Sequence, residues 1–537
     1  MSWASHLIIA PILLPFITAA VLIPLNDRNR MMKGTIAFVS SLILFLIAIT
    51  LMTIAATAVD GSTLVYRLGN WPAPYGIVLV LDRLSAVMIA LTTLMALAAQ
   101  MFSMARWHKA GFHFHSLFQF MLVGVNGAFL TGDLFNLFVF FEIMLAASYG
   151  LLLHGSGPAR VKAGLHYIAV NLAASSLFLI GVSLIYGAAG TLNMADLALR
   201  IPDLSAENRM LMQTGAAVLG VAFLVKAGMW PLGFWLPAAY SAAVPPVAAI
   251  FAILTKVGVY ILLRLSVLLF GNAAGASQGF GQDVLLYGGF ATITFGTIGV
   301  LASQAMGRLA GYYVLVSSGS LMAAIGLGES AVLPGMLFYL LSSTLGISAF
   351  FLLIELVERA RDAGADVLAV TMEAYGEIDE DQLEQEISTA VPGTLAVLGL
   401  CFVACAMLMA GLPPLSGFLA KFALLHGLFT GDDTSRPVLA GQDYGFTALI
   451  ILSGLATLIA MTRVGIRTFW TSIEGTIPRV RLIEITPVLV LLTACLFLTL
   501  EAGPVLRYLT ATARAIDVPQ GYIERVLEPA TLPDGGS

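Results

Sequence analysis

The chain has 537 residues, 59% of them hydrophobic and only 11% charged, with a net charge of −5. So apolar a composition exceeds what a water-soluble surface carries and marks an all-α polytopic membrane protein. The acidic balance and the lack of a basic patch argue against nucleic acid as a partner. Three cysteines with no CxxC pair or Cys/His cluster argue against a metal site.

About 14 apolar runs approach the ~20 residues that cross ~30 Å of hydrocarbon. They fall near 5–25, 35–58, 78–104, 112–131, 133–153, 161–188, 209–239, 246–270, 282–303, 308–327, 332–358, 392–428, 445–468 and 483–510. The first run lacks a basic leader and continues to Asp27-Arg28, so it reads as a retained helix rather than a signal peptide. Odd-numbered loops carry fourteen Lys or Arg residues between Arg28 and Arg481, whereas even-numbered ones carry six: Arg67, Arg83, Arg200, Arg209, Arg264 and Arg436. This bias places odd loops in the cytoplasm and both termini outside. Arg507, Arg514 and Arg525 in the tail run against it.

The informative feature is charge inside these runs. Four charges, Glu142, Lys226, Lys256 and Lys421, sit within apolar stretches, and three of them are half of the chain's six lysines. A charge at the centre of a spanning helix costs roughly 2.5–3.5 kcal/mol on insertion scales, so retained ones mark ion handling. Glu142 lies mid-run in Leu134-Phe-Asn-Leu-Phe-Val-Phe-Phe-Glu142 and is either protonated or met by a nearby cation, with Lys226 the candidate partner. His166 opens the sixth run and His426 follows Lys421 by five residues; either suits proton passage to an aqueous mouth. No histidine pair is placed as haem ligands, and no cofactor is expected.

Two segments repeat, Lys226-Ala-Gly-Met-Trp-Pro-Leu232 and Met409-Ala-Gly-Leu-Pro-Pro-Leu415, in runs longer than one straight crossing requires. Gly228 with Pro231, and Gly411 with Pro413 and Pro414, predict helices broken in mid-membrane, because proline removes a backbone hydrogen bond and crowds the carbonyl four residues back. The freed peptide groups then need side chains, water or an ion. The broken runs are the seventh and twelfth, five crossings apart, which reverses direction and makes the copies inverted repeats. Lys226 precedes the first break, Lys256 lies mid-run in Ala252-Ile-Leu-Thr-Lys256, and Lys421 follows the second break. Between the halves, 361–390 is an acidic cytoplasmic loop, with nine acids and no Lys or Arg from Asp362 to Glu386.

Together, Gly132 to Glu142, Ala163-Gly-Leu-His-Tyr167, Gly190-Thr-Leu-Asn-Met-Ala-Asp196, Lys226 to Pro237, Leu254-Thr-Lys-Val-Gly258 and Gly411 to Lys421 resemble the membrane subunits shared by Mrp-type multisubunit cation/proton antiporters and respiratory complex I. Residues 142–155 and Leu368 to Tyr375 look most like the D-type branch of the Mrp antiporters. The resemblance implies 14 helices: helices 1–3 in 1–110, a first inverted five-helix repeat in 111–275 broken at 228–231, a second in 280–470 broken at 411–414, and a last helix with tail in 480–537. It also implies that Glu142 and Lys226 form a switching pair, Lys256 bridges and Lys421 ends a proton relay. A lysine rather than a glutamate at 421 counts against the M type of complex I membrane protein. Where relatives carry His or Lys on span eleven, this chain has Ser342, Ser343 and Thr344, which leaves the bridge from Lys256 to Lys421 to hydroxyls and water.

The implied function is proton translocation in a Na⁺ or K⁺/proton antiporter of a bacterial inner membrane, with other membrane subunits as partners. The alternatives are the proton-pumping arm of an NADH–quinone oxidoreductase or membrane hydrogenase, and a non-conducting scaffold. With no cluster of carboxylates and carbonyls suited to Na⁺, the cation path is expected elsewhere or at an interface.

Overall fold

A computed structural model describes residues 6–26, 29–57, 63–375, 393–430, 440–469 and 480–528. The described chain is almost wholly helical, because in hydrocarbon a helix satisfies its backbone polar groups within one segment. In order the helices are α1 Ala10–Leu22, α2 Arg30–Thr57, α3 Arg83–Ala105, α4 Phe114–Leu130, α5 Leu134–Leu152, α6 Pro158–Ala189, α7 Met194–Arg200, α8 Ala206–Ala227, α9 Leu236–Ala242, α10 Pro245–Phe270, α11 Gln282–Ala302, α12 Met306–Gly326, α13 Leu333–Tyr375, α14 Gly393–Ala410, α15 Ser416–Phe429, α16 Gly441–Phe469, α17 Leu482–Leu500, α18 Ala502–Asp517 and α19 Gln520–Leu527. Twelve described helices are long and apolar enough to cross a membrane, and Ala10–Leu22, Phe114–Leu130 and Ser416–Phe429 are apolar but shorter.

Local chemistry sets many of the helix starts. Asp82, Asp133, Asn193 and Ser205 cap α3, α5, α7 and α8, each accepting from backbone N–H groups of the first turn. Proline at the first turn opens α6 and α10, where the missing N–H costs nothing.

Burial separates the centre from the rim. The most apolar 18-residue window of α10 is 100% buried, and those of α12 and α13 are 94% buried, whereas α2 reaches 33% and α6, α14 and α17 reach 39%. The rim helix α2 is more apolar than the enclosed α12, as expected where the surroundings are lipid rather than water. Loop side chains gather at the two ends. At one end a hairpin of β1 Leu64–Arg67 and β2 Val78–Leu81, paired antiparallel, shares an apolar cluster with Ala195 of α7 and with Tyr522 and Val526 of α19. At the other, Trp107 donates to Glu355 and Arg359 pairs with Glu484.

Three sequence expectations are corrected. The run at 78–104 is not one helix: Val78–Leu81 forms the second hairpin strand, its valines and leucines pairing before Asp82 starts α3. The expected loop at 361–390 begins as helix, since α13 runs on to Tyr375 through an alanine-rich stretch with no proline, and 376–392 lies outside the described residues. Arg264, counted as a loop residue, lies inside α10, where it pairs with Asp82 at 2.7 Å.

Candidate functional site

Both Gly-Pro segments lie where a helix stops. α8 ends at Ala227 because Gly228 turns left-handed at φ 79°, and α14 ends at Ala410 with Gly411 at φ 78°. Glycine is favoured there because a Cβ is strained at positive φ. Backbone groups freed at these stops find side-chain partners. The Trp230 N–H donates to Thr292 Oγ1 at 2.9 Å, the Tyr313 hydroxyl donates to Met409 O at 2.6 Å, and Lys421 Nζ donates to Ala410 O at 2.9 Å.

The intramembrane charges gather around these stops. Lys226 is 8% exposed, and its Nζ sits 5.7 Å from the centroid of the Phe141 ring. Glu142, the next residue on α5, interacts electrostatically with Lys226, although the two do not close to an ion pair within 4.0 Å. Glu142 Oε1 is buried with no hydrogen-bond partner. Lys256 on α10 is 0% exposed and donates to Ser317 Oγ at 2.9 Å and Ser318 Oγ at 3.2 Å. α10 reaches the first stop because Gly258 has no side chain: a Cβ there would lie 2.8 Å from Ala227 N.

Lys421 folds back across the second stop, where a Cβ on Gly411 would meet its Cδ at 2.7 Å. α16 packs on the same place through Gly454, whose Cβ would lie 2.7 Å from Ala410 O and 2.9 Å from Lys421 Nζ.

The hydroxyls expected to bridge the lysines divide. Ser343 Oγ lies 2.9 Å from Ser317 Oγ and so joins the Lys256 group. Ser342 Oγ lies 2.9 Å from Ser416 Oγ at the start of α15, and Thr344 donates to its own helix at Leu340 O. His166 and His426 are exposed; the first bonds Lys162 O and the second touches Thr430, so neither joins the lysines among the described residues. Both histidines bond one turn away along the chain, on faces that turn outward, whereas the lysines face inward.

Sequence reasoning missed the residues between the lysines. Tyr313 and Tyr339 are each 2% exposed, and the Tyr313 hydroxyl reaches across to Met409 O at the second stop. The signal was present as Tyr313 and the Ser317-Ser-Gly-Ser320 run inside an apolar helix. Four residues beyond Lys256, the Tyr260 hydroxyl donates to Phe129 O and accepts from Arg264, which carries α10 into the Asp82 ion pair. Burial raises the Asp82 carboxyl, but Arg264 and the Ser85 N–H and hydroxyl outweigh it and hold it below its ordinary 3.8.

Comparison with known proteins agrees with this architecture. The family described as "NADH:quinone oxidoreductase/Mrp antiporter, TM" matches residues 131–435. The D subunit of a probable K⁺/H⁺ antiporter from Rhizobium meliloti is 67% identical over 100% of this chain and 99% of its own length. The D subunit of a Na⁺/H⁺ antiporter from Alkalihalophilus pseudofirmus is 32% identical over 98% and 100%. Among solved structures, a chain of the Mrp complex from Dietzia sp. superposes with a TM-score of 0.81 at 27% identity, covering 98% of this chain and 100% of that one. A chain of respiratory complex I from Thermus thermophilus shares the fold, with a TM-score of 0.72 at 21% identity over 97% and 99%. With the match extending over the whole chain at 67% identity, this protein belongs to the NADH:quinone oxidoreductase/Mrp antiporter family of membrane proteins, in its Mrp D-type branch.

Proposed function

We propose that this chain is the proton-translocating subunit of a multisubunit monovalent cation/proton antiporter, and that Glu142, Lys226, Lys256 and Lys421 carry the proton. The observation that carries the reading is Lys256: fully buried on the most enclosed helix, with two serine hydroxyls as its hydrogen-bond partners. Keeping an ammonium there without an anion costs several kcal/mol, which packing alone does not justify and proton exchange does. Glu142 next to Phe141, with Lys226 over that ring, suits a pair that closes and opens as charge moves.

In this reading the two stops are the broken helices of inverted repeats spanning 111–275 and 280–470, odd-numbered loops face the cytoplasm, and both termini lie outside. The cation crosses elsewhere or at a subunit interface, and neighbouring antiporter subunits complete the complex. The naming of the Rhizobium meliloti relative supports K⁺ as the first cation to test.

The test is ΔpH dissipation on adding K⁺, then Na⁺, to everted vesicles bearing the chain with its operon partners. Native vesicles are expected to respond and Lys226→Ala vesicles to fail. A response that requires NADH or hydrogen oxidation by the complex itself would replace this reading with a redox pump.

A further inference from the structure

Three buried histidines meet where α3 and α5 end and α4 begins, and the transport reading above uses none of them. His108, His115 and His154 are 4%, 5% and 5% exposed. The His108 and His115 ring centroids lie 5.9 Å apart, and the Phe114 ring lies 4.8 Å from that of His154. His108 Nδ1 donates to Ser103 O at 3.1 Å and His154 Nε2 to Trp107 O at 2.9 Å. Neither ring nitrogen of His115 has a hydrogen-bond partner among the described residues. Glycines close the cluster: a Cβ on Gly34 of α2 would lie 3.2 Å from His115 Nε2, and one on Gly111 would lie 2.9 Å from His154 Nδ1.

The charges facing this cluster are cations. α2 brings Arg30 and Lys33, the turn after α3 brings Lys109, and α6 brings Arg160. Arg106 lies over the Trp107 ring, and the exposed His113 precedes α4. Acids at this end are committed to arginines: Glu355 of α13 pairs with Arg106 and Arg359, Glu484 of α17 pairs with Arg359, and Glu358 lines a cavity with Arg106 and Arg308. Burial first, and then the nearby cations, hold His108 and His154 below their ordinary 6.5. The closed cluster is therefore a neutral form, and acid favours any arrangement that brings water to the rings.

The cluster bears on Glu142 through packing. α4 opens on Phe114 and His115 and lies so close to α5 that a Cβ on Gly124 would be 2.7 Å from Met144 N, and one on Gly127 2.2 Å from the Phe140 ring. Phe140 and Met144 flank Glu142, and α5 ends two residues before His154.

We propose that His108, His115 and His154 form a pH-sensitive latch on the cytoplasmic side, which holds α4 against α5 while all three are neutral and releases them when the cytoplasm acidifies. This inference rests on the orientation and the transport reading above. An antiporter that takes up protons acidifies the cytoplasm, so release slows transport before acidification runs far. Below about pH 6.5, each proton bound only by the released form shifts the balance about tenfold per pH unit, so three titrate more steeply than one.

The experiment uses the complete complex in everted vesicles, whose bath meets the cytoplasmic face. K⁺- or Na⁺-dependent dissipation of a constant imposed ΔpH is read from about pH 8 to about pH 5.5, across the histidine range. Hydrogen exchange of the purified complex, corrected for intrinsic rate, is read alongside. Native complex is expected to lose at least about tenfold in rate across that range, with a slope above one proton, and to gain exchange in 106–118 and 150–156. His115→Gln is expected to keep the rate at about pH 8 within twofold, to move the acid limb at least about half a unit lower and to flatten it. His113→Asn, at an exposed position whose left-handed backbone, φ 56°, asparagine accepts, is expected to leave the limb in place. If His115→Gln does not assemble, His154→Gln, which keeps a donor for Trp107 O, takes its place.

An acid limb identical in native and His115→Gln complexes would overturn the latch. So would acid-induced exchange in 106–118 that leaves transport unchanged. If cations drive no ΔpH change in native vesicles, the transport reading fails, and the exchange profiles of native and His115→Gln complexes still decide whether the cluster opens with acid.

Discussion

The Gly454→Ala variant tests whether the second helix stop is set by close packing. Its new methyl would lie 2.7 Å from Ala410 O and 2.9 Å from Lys421 Nζ, both nearer than a methyl group tolerates. The ammonium ends a flexible side chain and gives way, whereas the carbonyl is backbone, so the Lys421 hydrogen bond to Ala410 is what breaks. Overpacking of this kind costs about 1–3 kcal/mol, and losing a hydrogen bond to a charged group costs about 1.5–3 kcal/mol. If the transport step bears that loss, at about 1.4 kcal/mol per decade the rate falls about ten- to hundredfold. Gly441→Ala on the same helix is the control, since among the described residues nothing lies within 4 Å of its Cβ position. Cation-dependent ΔpH dissipation in everted vesicles, with thermal unfolding of the purified complex alongside, reads both effects. Gly454→Ala matching Gly441→Ala in rate and midpoint would refute the packing argument.

Other variants probe separate contacts. Thr292→Val strips the acceptor from the Trp230 N–H at the first stop, and the unpaired donor is expected to lower stability by about 1–3 kcal/mol, read as a reduced unfolding midpoint; an unchanged midpoint would mean another group satisfies it. Ser317→Ala removes the nearer of the two hydroxyls holding Lys256 and is expected to slow transport, whereas Ser320→Ala, whose hydroxyl donates to its own helix at Val316 O, is expected to slow it less; equal rates would show that the Lys256 contact is dispensable. Asp82→Asn leaves Arg264 buried without its anion and is expected to cost about 3–5 kcal/mol in chemical unfolding, a value near zero counting against the pair. Because the Asp82 carboxyl is held below 3.8 in the folded protein, the pair's contribution is present above about pH 4 and is lost as pH falls through the depressed folded value. The stability difference between native protein and Asp82→Asn should therefore shrink below about pH 4 and stay level between about pH 5 and 7; a difference that grows on acidification would reverse the assigned sign.

The spans were legible along the chain. Apolar runs near 35–58, 246–270 and 282–303 coincide with α2, α10 and α11, because length and hydrophobicity are what a bilayer selects. Gly228 and Gly411 likewise sit where α8 and α14 stop, since left-handed backbone at a helix end is a local demand that glycine meets. The four intramembrane charges stood out for their insertion cost alone.

Direction and partnership were decided only by tertiary packing. The sequence sets Lys256 mid-run and His166 at the opening of a run, but only packing turns the first onto Ser317 and Ser318 and leaves the second exposed beside Lys162. Tyr313 carries no mark in the sequence of the bond its hydroxyl makes to Met409 O, and Arg264 read as a loop charge until α10 and α3 met at Asp82. Composition and periodicity register how apolar a helix is and where it breaks. Which face turns inward, and what it meets there, follows from the packing of helices far away in the chain.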